Sequence, residues 1–225
     1  MRTKRTLRTM MTLSEVLSQC PLGLQSPQRP LISINLTKLF FMQTPGFIPP
    51  HGGYKKLLSY QKSEIIYDAT VYFTQRFFKP FDRTVDQMVQ AARSGKQNIA
   101  EASVASGTSK ETEIKLTNVA RASLEELLID YQDFLRKNKF TEWDRNHKLA
   151  LRFRELNKVP GASYQSLQKA IENPDAEICA NSIISLIKTA TYLLSKQLIS
   201  LEQNFIKNGG LKESMFKARL KARGK

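Results

Sequence analysis

The chain of 225 residues is poor in cysteine and histidine, with two of each. Cys20 and Cys179 are too few for a disulfide framework, and their surroundings do not have the spacing of a metal site. We therefore expect a reduced protein in the cytoplasm. Cys179 follows Ile178 in a helical pattern and is predicted to be a small core residue.

Long apolar runs are also lacking. No stretch of about 18 apolar residues is found, so we expect no transmembrane helix and no membrane partner. The N-terminus is basic, but no apolar segment with a small-residue cleavage pattern follows it, so no signal peptide is expected.

The sequence contains none of the common catalytic signatures. It has no phosphate-binding glycine loop, no nucleophile elbow and no Cys–His pairing. The spacing Asp144-x-x-His147 is half of a di-iron carboxylate motif, but the only other histidine, His51, lies outside the predicted helices. We therefore expect no metal, no cofactor and no enzymatic activity.

Acidic residues are scarce relative to basic ones: 20 Asp and Glu against 35 Lys and Arg give a formal net charge of +15. Such a balance favours polyanionic partners, either nucleic acid or an anionic membrane surface. The alternative is that the charge only keeps a helical surface soluble.

Residues 1–50 differ from the rest of the chain, with six prolines, six Lys or Arg and one acid, Glu15. One interpretation is a disordered basic arm. The other, slightly preferred, is an over-long gene start with natural initiation at Met42. Mass spectrometry of the native N-terminus decides between them, since a peptide covering 31–38 excludes the internal start.

Apolar residues at helical spacing predict four long helices. The first covers Lys55–Phe78, the second follows an Asp82 N-cap to Ser106, the third ends near Asn138, and the fourth runs from an Asn173 N-cap to Asn208. The predicted fold is an all-α four-helix bundle. The stripe on the first helix comprises Leu58, Ile65, Ala69, Phe73 and Phe77.

The second helix has a seam of small residues, with spacings that alternate between three and four. Gly95 lies in the middle of it, where glycine costs roughly 1 kcal/mol relative to alanine. Close packing of a neighbouring helix against Gly95, or a bend in the helix, must offset this loss of helix stability. The seams of the second, third and fourth helices are Val85, Met88, Ala92, Gly95, Ile99, Ala102 and Ser106; Thr117, Ala120, Leu124, Leu127, Tyr131 and Phe134; and Ala180, Ile184, Ile187, Thr191, Leu194, Leu198, Leu201 and Phe205.

Capping patterns predict the connections. After Gly107, a capping box from Thr108 to Glu111 is expected to open the third helix. Residues 139–173 form an elaborated connection, which we call the connection below. Within it, Thr141–Asp144 is expected to cap a helix carrying Leu149, Phe153 and Leu156, and Ser163 a second short helix to Ile171. The basic segment 209–225 after Asn208-Gly209-Gly210 is a predicted helical suffix, with Leu211, Met215 and Leu220 on one side.

Basic residues are the candidate functional groups. In the connection, Glu142, Asp144 and Glu155 interleave with the cations, which is typical of a solvated surface. The suffix has the least internal neutralisation, so we expect phosphate contacts there first. Phe216, Tyr54 and Tyr60 are candidates for base stacking. The predicted nucleic-acid-binding residues are Lys212, Lys217, Arg219, Lys221 and Arg223 of the suffix, with Arg93, Lys96 and Arg121 of the helices.

Asn98 and Glu101 are polar residues beside the seam of the second helix. A binding or catalytic pair is one interpretation. An interhelical hydrogen-bond network that sets the register is favoured, because no base, nucleophile or metal ligand accompanies the pair.

The segment RSGKQNIAEAS, residues 93–103, resembles the bacterial four-helix bundle family that includes the 23S rRNA intervening sequence protein and the accessory variability determinant of diversity-generating retroelements. The matching positions are Arg93, Ser94, Asn98, Ile99, Ala100 and Glu101. The chain departs from the pattern at Gly95-Lys96, where a proline is common, and at Ala102, where glycine is usual. The suffix resembles that of the four-helix bundle suffix subgroup.

The resemblance implies an all-α antiparallel up-down-up-down four-helix bundle over 54–208 that assembles into a ring of five subunits, with basic surfaces and no enzymatic activity. It also implies binding to nucleic acid or to a nucleic-acid enzyme such as a reverse transcriptase. The alternative function is a protein-interaction scaffold whose positive charge matches an acidic protein partner.

Overall fold

The computed structural model describes residues 48–159 and 161–224, and the regular structure within these ranges is entirely helical. The all-α prediction is therefore confirmed. A 3-10 turn at Tyr54–Lys56 precedes α1 (Leu58–Phe77), α2 (Arg83–Ala105), α3 (Lys110–Lys137), α4 (Lys148–Lys158), α5 (Tyr164–Ile171), α6 (Ala176–Asn208) and α7 (Leu211–Ala222). The predicted extension and alternative start, with Cys20 and Met42, lie outside the described residues.

The four long helices contact one another in a closed cycle. α1 packs on α2 and α6, and α3 packs on the same two helices. α4 and α5 both contact α6, so the connection lies against the last long helix. The fully buried large side chains at the centre include Ile66, Phe73, Met88, Ile99, Leu124, Leu127, Tyr131, Ile183 and Leu186.

The buried face of α1 agrees with the predicted stripe at Ile65, Ala69 and Phe73. Leu58 was wrongly placed in that stripe, since it is 57% exposed at the first position of the helix. Phe73 is the centre of an aromatic cluster, with ring centroids 4.9 Å from Tyr131 and 4.8 Å from Phe134. The Tyr131 hydroxyl donates to Thr70 Oγ1 at 3.1 Å, which satisfies this buried phenol.

The seams of α2 and α3 are buried as predicted, with Val85 and Ser106 only half-buried. The Asp82 N-cap is confirmed, because its carboxylate accepts from Thr84 N at 2.9 Å. The predicted Thr108 cap is wrong by one residue. Ser109 adopts the extended backbone conformation of an N-cap, and its hydroxyl accepts from Thr112 N at 3.1 Å.

The start of α4 differs from the prediction. Thr141–Asp144 does not open a helix, because the backbone of this segment bonds to α6 instead. Trp143 N donates to Asn181 Oδ1 at 2.8 Å, and Asn181 Nδ2 donates to Thr141 O at 3.0 Å. α4 begins at Lys148, and this later start places Ala150, Phe153 and Asn157 on its buried face, whereas Leu149 and Leu156 are exposed.

The N-cap of α6, Asp175, lies two residues beyond the predicted Asn173 cap. Asn173 Oδ1 accepts from Asp175 N at 2.9 Å and forms a turn, and Asp175 Oδ1 then caps α6 by accepting from Glu177 N at 2.8 Å. The predicted seam is buried only as far as Leu194. Leu198, Leu201 and Phe205 are half-buried.

The segment from α6 onward contains an 18-residue window with a mean hydropathy of 1.3, which by length and composition alone is apolar enough to cross a membrane. The prediction concerned an unbroken run of apolar residues, whereas this value averages the hydropathy of apolar and polar residues together. However, 61% of that window is buried inside the molecule. A core helix of a soluble protein can reach the same mean hydropathy, because it packs against protein on several sides and therefore carries apolar side chains on most of its surface.

Cys179 is completely buried, as predicted, and its thiol donates to Ile171 O at 2.7 Å. Burial raises the pKa of the Cys179 thiol from 9.0 to about 12, with a smaller contribution from the Glu172 carboxylate. The folded thiol therefore keeps its proton at a pH where the unfolded thiol has lost it. Its stabilising contribution is complete below pH 9.0 and is lost as the pH rises toward 12.

Cys179→Ala tests this linkage. At neutral pH we expect the variant to be less stable than the wild type by about 1 kcal/mol, because a buried side chain is truncated. The difference should shrink as the pH rises above 9.0, measured by urea unfolding of both proteins at each pH. Other groups, including Tyr131, titrate equally in both proteins and cancel. A difference that stays constant with pH would contradict the assignment.

Candidate functional site

The suffix forms the separate helix α7, and two residues determine how it starts. Gly209 has φ +75°, a conformation that L side chains rarely adopt, and a Cβ there would lie 2.8 Å from Glu213 Cγ. The Glu213 carboxylate turns back and accepts from Gly210 N at 2.8 Å. Backbone hydrogen bonds lower the pKa of Glu213, so it stays charged and is used as a cap.

All five suffix cations predicted to contact nucleic acid are exposed, and no residue of α7 is buried. Lys212, Arg219 and Arg223 recur with Phe216 at spacings of four, three and four, which places these four residues on one side of α7. Phe216 is 63% exposed. We call Lys212, Phe216, Arg219 and Arg223 the suffix face. Lys217 and Lys221 share a different side.

The suffix cations are not neutralised by ion pairs within the described part of the chain. The four pairs found there are Lys110–Glu113, Arg136–Asp133, Lys158–Glu155 and Lys188–Glu142, all outside α7. Glu213 is the only acid in α7 and is used by its cap. The suffix face therefore combines unneutralised positive charge with an exposed aromatic ring.

The cations predicted on the long helices do not join this surface. Ser106, at the C-terminal end of α2, lines a small cavity together with Leu211 at the start of α7. Arg93 is 13 positions before Ser106, so it lies about 20 Å along α2 from that cavity. Lys96 Nζ sits 4.1 Å from the Tyr67 ring centroid and links α2 to α1. Arg121 is half-buried and donates to Asn118 Oδ1 at 3.1 Å.

The residues of 93–103 that match the family pattern lie on α2, at and beside its contact with α3. Asn98 Nδ2 donates to Ser94 O at 2.9 Å, and the Ser94 hydroxyl bonds the Ser123 hydroxyl of α3 at 2.9 Å. Glu101 is exposed, so the expected Asn98–Glu101 network is replaced by one from Asn98 through Ser94 to Ser123. Gly95 and Ile99 are buried in the seam, and Ala100 is half-buried.

Asp144 and His147 serve the local structure. Asp144 Oδ1 accepts from Asn146 N at 2.6 Å, and the His147 ring stacks on Trp143 with centroids 5.1 Å apart. Within 48–159 and 161–224, no three His, Cys, Asp or Glu side chains are grouped as metal ligands. His51 lies over Gly107, far from His147 in the sequence.

The connection and α6 enclose a cleft of about 650 Å³, which we call the connection cleft. It gathers Trp143, Arg145, Arg154 and Lys158 with Lys188 of α6. Sequence reasoning treated the cations of the connection as a solvated surface, did not consider Lys188, and missed the cleft. The one signal was Trp143, the single tryptophan of the chain, in a segment rich in charge.

Comparison of the chain with protein-family models, with curated proteins and with solved structures gives no match. The resemblance of residues 93–103 to the bacterial four-helix bundle family therefore stays a prediction, based on those residues alone.

Proposed function

We propose that the chain is a non-enzymatic oligomeric four-helix bundle protein that binds the backbone of RNA or DNA through α7. The closed cycle of contacts among α1, α2, α3 and α6 supports a bundle. The α1–α2 and α2–α3 connections, 78–82 and 106–109, are short. Short connections favour antiparallel neighbours, which supports the proposed up-down-up-down arrangement for α1, α2 and α3.

The suffix face is the observation that carries the proposed binding function. Lys212, Arg219 and Arg223 can neutralise successive phosphates, and Phe216 between them offers a ring on which a base can stack. Stacking and phosphate contacts do not read the base edges. The proposed binding is therefore to the strand backbone and independent of sequence.

Exposed apolar residues support self-association, proposed as a ring of five from the family resemblance. In the C-terminal part of α6, Ile199 is 49% exposed and Ile206 is 84% exposed. They lie close in sequence to the half-buried Leu198, Leu201 and Phe205. Apolar side chains concentrated on the end of one helix are typical of protein interfaces. Bringing several α7 helices together would also multiply weak backbone contacts.

Salt-dependent gel shifts on single-stranded RNA and DNA test the proposal. If the five suffix cations named above and Lys225 all contact phosphates, log K should fall with log salt at a slope of about −5 on a duplex and about −4 on a single strand. The triple variant Lys212→Gln, Arg219→Gln, Arg223→Gln should lower the single-strand slope by about 2. Phe216→Ala should weaken binding with an unchanged slope, because it removes stacking and no charge.

A control variant with the same loss of charge is Lys115→Gln, Lys139→Gln, Lys148→Gln, three exposed cations of α3 and of the connection, outside α7. It should retain most of the binding. Light scattering on each sample checks that the oligomer is intact. Failure of the wild type to bind at low salt with unchanged mass would exclude nucleic acid. Binding to an acidic polypeptide under the same conditions would then support the scaffold function, and co-purification from the native host would identify a protein partner such as a reverse transcriptase.

A further inference from the structure

The connection cleft has the size and the lining of a small-molecule site. Its volume of about 650 Å³ falls within the roughly 300–1,000 Å³ typical of such sites. One wall is the loop before α4 together with α4, and the other is the middle of α6. The inference drawn from it is independent of α7 and of the proposed function.

Two aromatic side chains line the connection cleft. Trp143 is half-buried, with the His147 ring stacked parallel to its indole at an interplanar angle of 14°. Tyr192 is 60% exposed although it lies on a core helix, and Lys196 Nζ is 5.5 Å from its ring centroid. Rings held in this way are suited to packing against a planar ligand, because little side-chain freedom is lost on binding.

A buried polar group in the lining has no partner. Asn157 is 8% exposed, and its Nδ2 donates to Thr189 Oγ1 at 3.3 Å. No donor among the described residues reaches its Oδ1. A buried acceptor without a donor costs about 1–3 kcal/mol. This oxygen has almost no exposed surface, so a ligand N–H or O–H would relieve that cost after a shift of the neighbouring side chains.

Positive charge dominates the lining, which has four cations, Arg145, Arg154, Lys158 and Lys188, against one carboxylate, Asp144. Lys158 and Lys188 pair with Glu155 and Glu142, which are outside the lining. In the described part of the chain, neither arginine pairs with a carboxylate, and Arg154 Nη2 donates to Arg145 O at 2.9 Å. Two guanidinium groups are suited to a phosphate, which they bind through paired N–H donors.

We propose that the connection cleft binds a nucleoside phosphate. The phosphate would meet Arg145 and Arg154, the base would pack against Trp143 and Tyr192, and a base or ribose donor would reach Asn157. The proposal combines the three features of the lining: positive charge, planar rings and an unpartnered acceptor.

Trp143 provides a direct measurement, because it is the only tryptophan and it lies in the connection cleft. Adenosine monophosphate added to the full-length protein should change the tryptophan fluorescence with saturation, and calorimetry should give the same Kd. Adenosine alone and inorganic phosphate alone should each bind at least about tenfold more weakly, since each lacks one of the two recognised parts.

Exposed charges allow matched variants that leave the core intact. Arg145→Gln and Lys188→Gln should each weaken adenosine monophosphate binding by about tenfold, because each removes a charge from the lining. Lys148→Gln, an exposed cation of α4 outside the lining, and Phe216→Ala of the suffix face should leave the Kd unchanged. Circular dichroism of each variant checks the fold.

Three results would overturn the proposal. The first is the absence of both a fluorescence change and a heat of binding with adenosine monophosphate. The second is equal affinity for phosphate alone, which would leave a simple anion site. The third is an unchanged Kd in both cleft variants. A 5′-phosphorylated oligonucleotide, tested on the suffix triple variant, shows whether the nucleotide is free or the end of a strand, and either source supports the site.

Discussion

Gly95→Val is expected to destabilise the folded chain by about 3 kcal/mol. A Cβ at this position would lie 2.7 Å from Leu124 Cδ2 and 2.9 Å from Leu124 Cγ. Leu124 is fully buried between α3 and its neighbours, so it has no space into which to move. The close approach of α2 and α3 therefore depends on the missing side chain. Urea unfolding followed by circular dichroism measures the loss.

A double-mutant cycle separates this clash from helix propensity. In the wild type, Gly95→Ala should destabilise, because the clash outweighs the roughly 1 kcal/mol that alanine gains in a helix. In a Leu124→Ala background, which itself loses about 2–5 kcal/mol, the same Gly95→Ala change should stabilise, since the clash is removed. Glu101→Val on the exposed side of α2 controls for the β-branched side chain. A Gly95→Ala effect of the same sign in both backgrounds would show that Leu124 does not limit this site.

Asn181→Ala is expected to lower the free energy of unfolding by about 2–3 kcal/mol, because the buried side-chain amide of Asn181 links α6 to the loop before α4. Asn181 is 1% exposed. Its Oδ1 accepts from Trp143 N, and its Nδ2 donates to Thr141 O and Glu177 O. Without it, these backbone groups would lose partners, and the loop that carries Trp143 would lose its link to α6.

The same variant should disturb the connection cleft. We expect tryptophan emission to shift toward that of solvent-exposed indole, and adenosine monophosphate binding to weaken with it. Asn204→Ala, an exposed asparagine of the same helix, is the matched control and should change neither stability nor emission. Loss of stability with unchanged emission and unchanged nucleotide affinity would mean that Asn181 does not position Trp143.

Helix existence followed from local patterns, because the spacing of apolar residues is a property of each helix on its own. The seam of α2 with Gly95 at its centre was predicted from spacing alone, and so were the Asp82 cap and the end of α6 at Asn208. The exact starts of α3, α4 and α6 were not. At each start, the unpaired backbone N–H groups bond to a nearby side chain or to a distant amide, and that choice sets the first residue of the helix. Several residues could have supplied the acceptor, so the sequence alone did not identify it.

By itself, the sequence determined that the described chain is helical, which faces of the long helices are buried, and that the suffix is basic. These properties depend on residue type and on spacing along one helix. The tertiary structure alone decided that Phe216 lies exposed among the suffix cations and that Asn181 binds the connection. It also decided that Arg145, Arg154 and Lys188 share one cleft with Trp143. Asn181 and Lys188 of α6 lie 34 or more positions from the residues they meet in the connection. Such residues meet only when the helices pack, and no local pattern encodes that meeting.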